Sequence, residues 1–265
     1  MIPKIIHYCW FGRNPKSELI QKCIESWKRT MPEWEIREWN EDNVDLSRSS
    51  FAEGAYQCQK YAFVSDIVRL WVVYEYGGIY LDTDVELYSS LEEYSNYNAF
   101  MFFHNHYQIN TGVGFGAIKN HPLIRKMIEP YEHMRFNIEQ MNEYACPLIN
   151  TASIKEMYPT FEKNGLCQII NNDIFVDYIE YYKIAQHYGS FSWINDEQKK
   201  AQKYVKKERN WKIRQLLRNP QMLAKLSKYP ALNKAYTFLT FDFIDYGPVY
   251  WGHRIKNKLV RRMKK

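Results

Sequence analysis

Three short segments near the start of the chain restrict its fold more than anything else in it. Residues 2–10 form an almost unbroken apolar run, as a strand buried on both faces reads. Residues 18–29 place Leu19, Ile20, Cys23, Ile24 and Trp27 at the spacing of one helix face, and Pro32 ends the pattern. Residues 34–39 then alternate with period two, the mark of a second strand. Strand, helix and strand at this spacing make a βαβ unit. That predicts an α/β fold with a parallel sheet and a ligand crevice at the carboxyl ends of its strands.

The pattern continues downstream. Residues 57–76 read as a helix with Tyr61, Val64, Ile67, Val68, Trp71 and Val72 on one broad face, ended by Gly77-Gly78. Ile79-Tyr80-Leu81 is a short buried strand that runs into Asp82-Thr83-Asp84. A strand over 98–103, a glycine-rich stretch over 110–116 and a helix over 122–135 follow.

Charge divides the chain in two. The net charge of +6 averages a strongly basic segment, 199–265, with 19 Lys and Arg against Glu208, Asp242 and Asp245, and an acidic remainder, 1–198, at −10. The expected organisation is an α/β body over 1–198 and a basic helical region over 199–265. Within that region Ile255, Leu259 and Met263 recur every fourth residue among basic neighbours, an amphipathic helix. It suits an anionic membrane surface, where each basic residue near the headgroups contributes ~1 kcal/mol. A solvated helix face packed on the body is the alternative. Nucleic acid is not expected, since no recognition module is present.

Composition removes other classes. A hydrophobic fraction of 46% with 25% charged residues excludes disordered, collagen-like and coiled-coil chains. The 22 Tyr, 14 Phe and 8 Trp exceed the ordinary share and suit stacking on sugars or bases as well as a core. Five cysteines with no CxxC spacing argue against a zinc site or a disulfide framework. No apolar run approaches the ~18–20 residues that span a bilayer. The opening residues lack the apolar stretch of a signal peptide. A cytoplasmic protein, peripheral on the inner face of the cell membrane, is the expectation.

Asp82 and Asp84 carry the sharpest chemistry. Residues i and i+2 of an extended chain face the same side, so two carboxylates at a strand end form a site for a hard divalent cation. A surface turn with two solvated acids is the other reading of that tripeptide. On the preceding helix Asp66 and Arg69 share a face at i, i+3, amid Ala62, Phe63, Val64, Ile67 and Val68. So placed they are either an intrahelical ion pair or groups that hold a sugar hydroxyl and a phosphate.

The run Ser65-Asp66-Ile67-Val68-Arg69, followed by Tyr76-Gly77-Gly78-Ile79-Tyr80-Leu81-Asp82-Thr83-Asp84, resembles the signature of the DxD sugar-binding glycosyltransferases of family 32. That family includes initiating mannosyltransferases and bacterial capsule and lipopolysaccharide transferases, and is related to clostridial glucosylating toxins. The opening Ile2-Pro3-Lys4-Ile5-Ile6-His7-Tyr8-Cys9-Trp10-Phe11-Gly12 is similar to the family's first strand. The resemblance covers about 1–118 and implies a GT-A (Rossmann-like) fold, a nucleotide-sugar donor, Mn²⁺ or Mg²⁺, and retention of anomeric configuration.

By position it implies that Trp10 stacks on the nucleobase and that Asp66 and Arg69 meet the donor sugar and its phosphate side. Asp82 would meet ribose and sugar hydroxyls, Asp84 would ligate the metal, and Asn110 would line the acceptor side of the sugar pocket. Gln186-His187-Tyr188-Gly189-Ser190-Phe191-Ser192-Trp193 looks like the family's closing element, in which His187 or Ser192 meets the metal or diphosphate and Trp193 covers the donor. His104-Asn105-His106 is expected to be an acceptor-side loop or to have no role.

The expected activity is transfer of a hexose or N-acetylhexosamine, from a UDP-sugar before GDP-mannose, to a glycan or lipid-linked acceptor in capsule or lipopolysaccharide synthesis. The competing expectation is a catalytically silent nucleotide-sugar-binding or membrane-surface scaffold of the same fold.

Overall fold

The computed structural model of the protein describes residues 1–105 and 108–189. These fall in the first of two compact units, Met1–Trp193; the second, Ile194–Lys265, lies outside the described residues, as do Ser192 and Trp193.

Strand β1 (Ile5–Cys9) opens the sheet, and helix α1 (Glu18–Thr30) crosses to β2 (Glu35–Trp39), which pairs with β1 in parallel. Ser17 caps α1 with its hydroxyl, Glu18 sits in the first turn, and Lys28 and Arg29 sit in the last, all favourable to the helix dipole. The βαβ unit expected from the periodicities is therefore present.

The helical pattern over 57–76 resolves differently. Helix α2 (Ser50–Gln57), capped by the Ser49 hydroxyl, ends at a reversal where Gln59 takes a positive φ of 56°, and α3 (Tyr61–Tyr76) starts anew. The sequence concealed α2 because Gly54 lies in its interior, where a glycine lowers helix propensity. Helix α3 is buried on nearly every side, from Phe63 to Val73, which explains its lack of a polar face.

Gly77 closes α3 at φ 69°, and a Cβ there would lie 2.8 Å from Pro3 and from the Lys119 nitrogen. At Gly78 a Cβ would sit 2.6 Å from the Ile5 carbonyl. The glycine pair lets β3 (Gly78–Tyr80) seat against β1 in parallel. The chain continues as β4 (Val85–Leu87), β5 (Ala99–Asn105), β6 (Gln108–Ile109), β7 (Phe115–Ala117), α4 (Pro122–Glu132), α5 (Cys146–Met157), β8 (Gln168–Ile170), β9 (Asp173–Val176), α6 (Tyr178–Ile184) and β10 (Ala185–His187).

The main sheet runs β2-β1-β3-β7-β5-β9-β8, with β6 on β5. Strand β7 is antiparallel to both neighbours, and β5 pairs with β9 in parallel. The carboxyl ends of β1, β2, β3, β5 and β9 therefore share one edge. A separate two-stranded sheet joins β4 to β10. Much of the aromatic share is core: Phe51, Phe63, Tyr131, Phe136 and Tyr144 pack edge-on or tilted, with centroids 5.2–6.4 Å apart.

Candidate active site

The residues between β3 and β4 form a turn, not an extended strand end. The Val85 amide donates to the Asp82 carbonyl at 3.0 Å, and the Asp82 amide donates to the Gly112 carbonyl at 3.3 Å. Strand alternation therefore does not place the two carboxylates; the turn does. Asp82, Asp84 and His187 each bring one ligand atom to a common point, all within 4.8 Å of one another.

His187 arrives through β10, which pairs antiparallel with β4 so that His187 stands opposite Val85. Its Nε2 lies 3.2 Å from Asp84 Oδ1, and the Tyr188 amide donates to the Asp84 carbonyl at 3.0 Å. Helix α1 clamps β4 from behind. Trp27 Nε1 donates to the Val85 carbonyl at 2.7 Å, and Ser26 Oγ accepts from the Leu87 amide at 2.9 Å.

Electrostatics mark the same point. Burial, then the neighbouring Asp84 charge, push the Asp82 carboxyl above its ordinary range, and Arg69 opposes the shift. Burial disfavours charge on His187, yet the Asp84 hydrogen bond and the Asp84 and Asp82 charges hold its pKa above the usual value. Two carboxylates and an imidazole crowded together suit a divalent cation of the Mn²⁺ or Mg²⁺ kind.

Arg69 stands beside this cluster at 3% exposure. Its Nη2 lies 2.9 Å from Asp66 Oδ1 and 3.2 Å from Asp82 Oδ1, its Nε donates to the Ser65 carbonyl at 3.0 Å, and its Nη1 donates to Thr111 Oγ1 at 3.5 Å. Among the described residues Arg69 thus has two hydrogen bonds, from Nε and Nη1, and two ion pairs through Nη2. Burial raises the Asp66 carboxyl to about 6 against the opposing pull of Arg69. Of the two readings of the Asp66–Arg69 spacing, the intrahelical ion pair is present, and it reaches Asp82.

Asn110 belongs to the same wall. Its Oδ1 accepts from the Gly112 amide at 2.8 Å, beside Asp82 and Arg69. Trp10 stands at the same sheet edge but outside this network. Its Nε1 donates to the Asn14 carbonyl at 2.7 Å, Lys16 Nζ lies 5.6 Å from its ring, and it lines a cavity of about 290 Å³ with Glu38, Asn40 and Asp42. His104 and Asn105 end β5, and His106 is outside the described residues.

A family profile described as the glycosyltransferase sugar-binding region containing the DXD motif matches residues 17–101, which hold Asp66, Arg69, Asp82 and Asp84. Residues 17–101 carry a glycosyltransferase DXD sugar-binding region, and the chain is similar to family 32. It is 27% identical over 143 residues to inositol phosphoceramide mannosyltransferase 3 of Schizosaccharomyces pombe, covering 51% of this chain. The chain spans 39% of that relative's length.

Solved structures with a similar trace include the PaToxG glycosyltransferase, at 20% identity and a TM-score of 0.48 over 60% of this chain and 70% of that one. Another is a glycosyltransferase involved in glycosylation of the major capsid of PBCV-1, at 14% and 0.38 over 71% and 94%.

The site also contains residues that sequence reasoning passed over. Tyr80 is buried, donates its hydroxyl to Asp82 Oδ1 at 3.0 Å, and carries the Arg69 guanidinium 5.0 Å above its ring. It lies two residues before Asp82, in the same run of sequence. At Gly112 a Cβ would meet Asp82 Oδ2 at 2.5 Å and Arg69 Nη1 at 3.1 Å, so backbone forms the wall there. Among the described residues no helix is long and apolar enough to cross a membrane.

Proposed function

We propose that the chain is a metal-dependent, retaining glycosyltransferase that moves a hexose or N-acetylhexosamine from a nucleotide sugar to a glycan or lipid-linked acceptor. The observation that carries this reading is the convergence of Asp82, Asp84 and His187 on one point beside the buried Arg69. Asp84 and His187 hold Mn²⁺ or Mg²⁺, with Asp82 turned to ribose and sugar hydroxyls. When bound, the cation supplies Lewis-acid neutralisation of the donor diphosphate.

The Arg69 guanidinium meets the phosphate side of the donor, and Asp66 pairs with it and fixes its place. The site carboxylates Asp66 and Asp82 are both paired with Arg69, so neither is presented as a free covalent nucleophile. That supports front-face displacement. The bond from sugar C1 to the diphosphate oxygen breaks, the acceptor hydroxyl oxygen bonds to C1 on the same face, and its proton passes to the leaving diphosphate.

UDP-sugars head the donor panel on the strength of the family resemblance, and the mannosyl transfer named for the S. pombe relative keeps GDP-mannose in it. That relative's name also includes a lipid acceptor, which supports the lipid-linked choice. With it goes the role proposed for the basic segment 199–265: holding the body at an anionic inner membrane surface, in capsule or lipopolysaccharide synthesis. Release of nucleoside diphosphate from UDP-glucose, UDP-galactose, UDP-N-acetylglucosamine and GDP-mannose, with and without Mn²⁺, tests the reading. Metal-dependent release from one of them supports it, and no release from any favours the silent scaffold.

A further inference from the structure

Helix α5 buries an unusual face. Toward the protein it turns Cys146, Ile149, Asn150, Thr151, Ser153 and Ile154, with Asn150 at 0% and Thr151 at 2% exposure. Burying an amide and a hydroxyl costs free energy unless each meets a partner. These groups meet one loop, residue by residue. Thr151 Oγ1 accepts from the Ile109 amide at 2.9 Å, and Asn150 Nδ2 donates to Thr111 Oγ1 at 2.9 Å. Cys146 Sγ lies 3.9 Å from both Asn110 Oδ1 and Thr111 Oγ1. Positions 146 and 150 lie one turn apart on the same stripe and 151 is adjacent, so three side chains of α5 meet the segment from 109 to 111.

The loop leads straight to the active site. Thr111 Oγ1 has two lone pairs and one proton. Asn150 Nδ2 and Arg69 Nη1 take the lone pairs, and the proton points to Cys146 Sγ. Of these three contacts the Asn150 one, at 2.9 Å, is the short one. One residue on, the Gly112 carbonyl accepts from the Asp82 amide, and its α-carbon abuts Asp82 and Arg69. Asn150 Oδ1 has no partner among the described residues. The amide is therefore held by its bond to Thr111.

We propose that Asn150 is a positioning residue, acting through the Thr111 hydroxyl to hold Arg69 and the 109–112 loop against Asp82; its catalytic meaning rests on the glycosyltransferase reading. Without the Asn150 donor the Thr111 hydroxyl loses its short contact, and the long Nη1 bond is the first to weaken.

The test uses the full chain with Asn150→Leu, Thr111→Val, the double variant, and Thr111→Ser, which keeps the hydroxyl. Amide hydrogen exchange is followed at Gly112 and Asp82, with Ile6 in β1 as the internal reference. Each single loss is expected to speed exchange at Gly112 and Asp82 about tenfold. Ile6 should not change, the double variant should be no worse than the worse single one, and Thr111→Ser should behave as wild type. Unchanged exchange at Gly112, additive effects in the double variant, or an equal rise at Ile6 would overturn the assignment. Donor turnover is measured on the same proteins, with kcat/KM expected to fall about tenfold in the single variants. If the unaltered chain turns over no donor, the glycosyltransferase reading fails, while the exchange result still decides the positioning role.

Discussion

His187 Nε2 lies 3.2 Å from Asp84 Oδ1 because the β4–β10 pair brings the end of the described chain back onto the turn that follows β3. The imidazole and carboxylate meet each other where a cation would otherwise take both.

Metal binding should therefore be readable as stability. Mn²⁺ at about 100 times its Kd adds ~2.7 kcal/mol to a folded state that binds it and an unfolded state that does not. For a unit of this size that is a rise in Tm of roughly 5–10 °C. Thermal melts with and without Mn²⁺ check this, and Asp84→Asn should abolish most of the rise.

Arg69 should resist even conservative replacement. Lysine cannot reproduce the fork that meets the Ser65 carbonyl, Thr111, Asp66 and Asp82 together. Arg69→Met leaves two carboxylates without their buried counter-charge, at a cost of about 3–5 kcal/mol. Urea unfolding measures that loss, and Arg69→Lys should retain more stability than Arg69→Met.

Gly112→Ala should separate activity from folding. The added methyl would approach Asp82 Oδ2 to 2.5 Å. Since Asp82 Oδ2 ends a side chain that can give way, stability should fall by about 1–3 kcal/mol. The donor pocket should not tolerate that movement, and kcat/KM for donor hydrolysis should fall about 100-fold.

Stability should decline on the acid side through His7. This residue is fully buried; its Nε2–H donates to the Gly77 carbonyl at 2.7 Å, and its Nδ1 accepts from Trp39 Nε1 at 3.0 Å. A second proton would face the indole N–H. Burial, with Arg37 adding to it, lowers the folded pKa from 6.5 to about 4. The unfolded chain then binds the proton more readily, so this contribution is intact above pH 6.5 and is lost as pH falls toward 4. The loss approaches ~3 kcal/mol at the low end. Urea midpoints at pH 7 and 4.5 should show the drop, and His7→Gln should flatten it.

How much of this was legible depended on whether the signal was local. The β1–α1–β2 unit could be read because each element carries its own period, and the Asp66–Arg69 pair because apolar neighbours announced a buried helix. Asp82 and Asp84 were found for a partly mistaken reason: they converge through a turn and not through strand alternation. The β4–β10 pairing has no local signature, since two three-residue strands far apart in sequence share no period. The buried polar groups of α5 have no local signature, since their partners lie about 40 residues upstream. The basic segment 199–265 and the closing Ser192 and Trp193 lie outside the described residues.

Metal-dependent transfer is tested most directly by nucleoside diphosphate release from the full chain and from Asp84→Asn, across the four nucleotide sugars, with Mn²⁺ or with chelator. Release from one donor should disappear with chelator and fall about 100-fold or more in Asp84→Asn. Release that persists at full rate in Asp84→Asn, or that ignores the chelator, would contradict metal-dependent transfer.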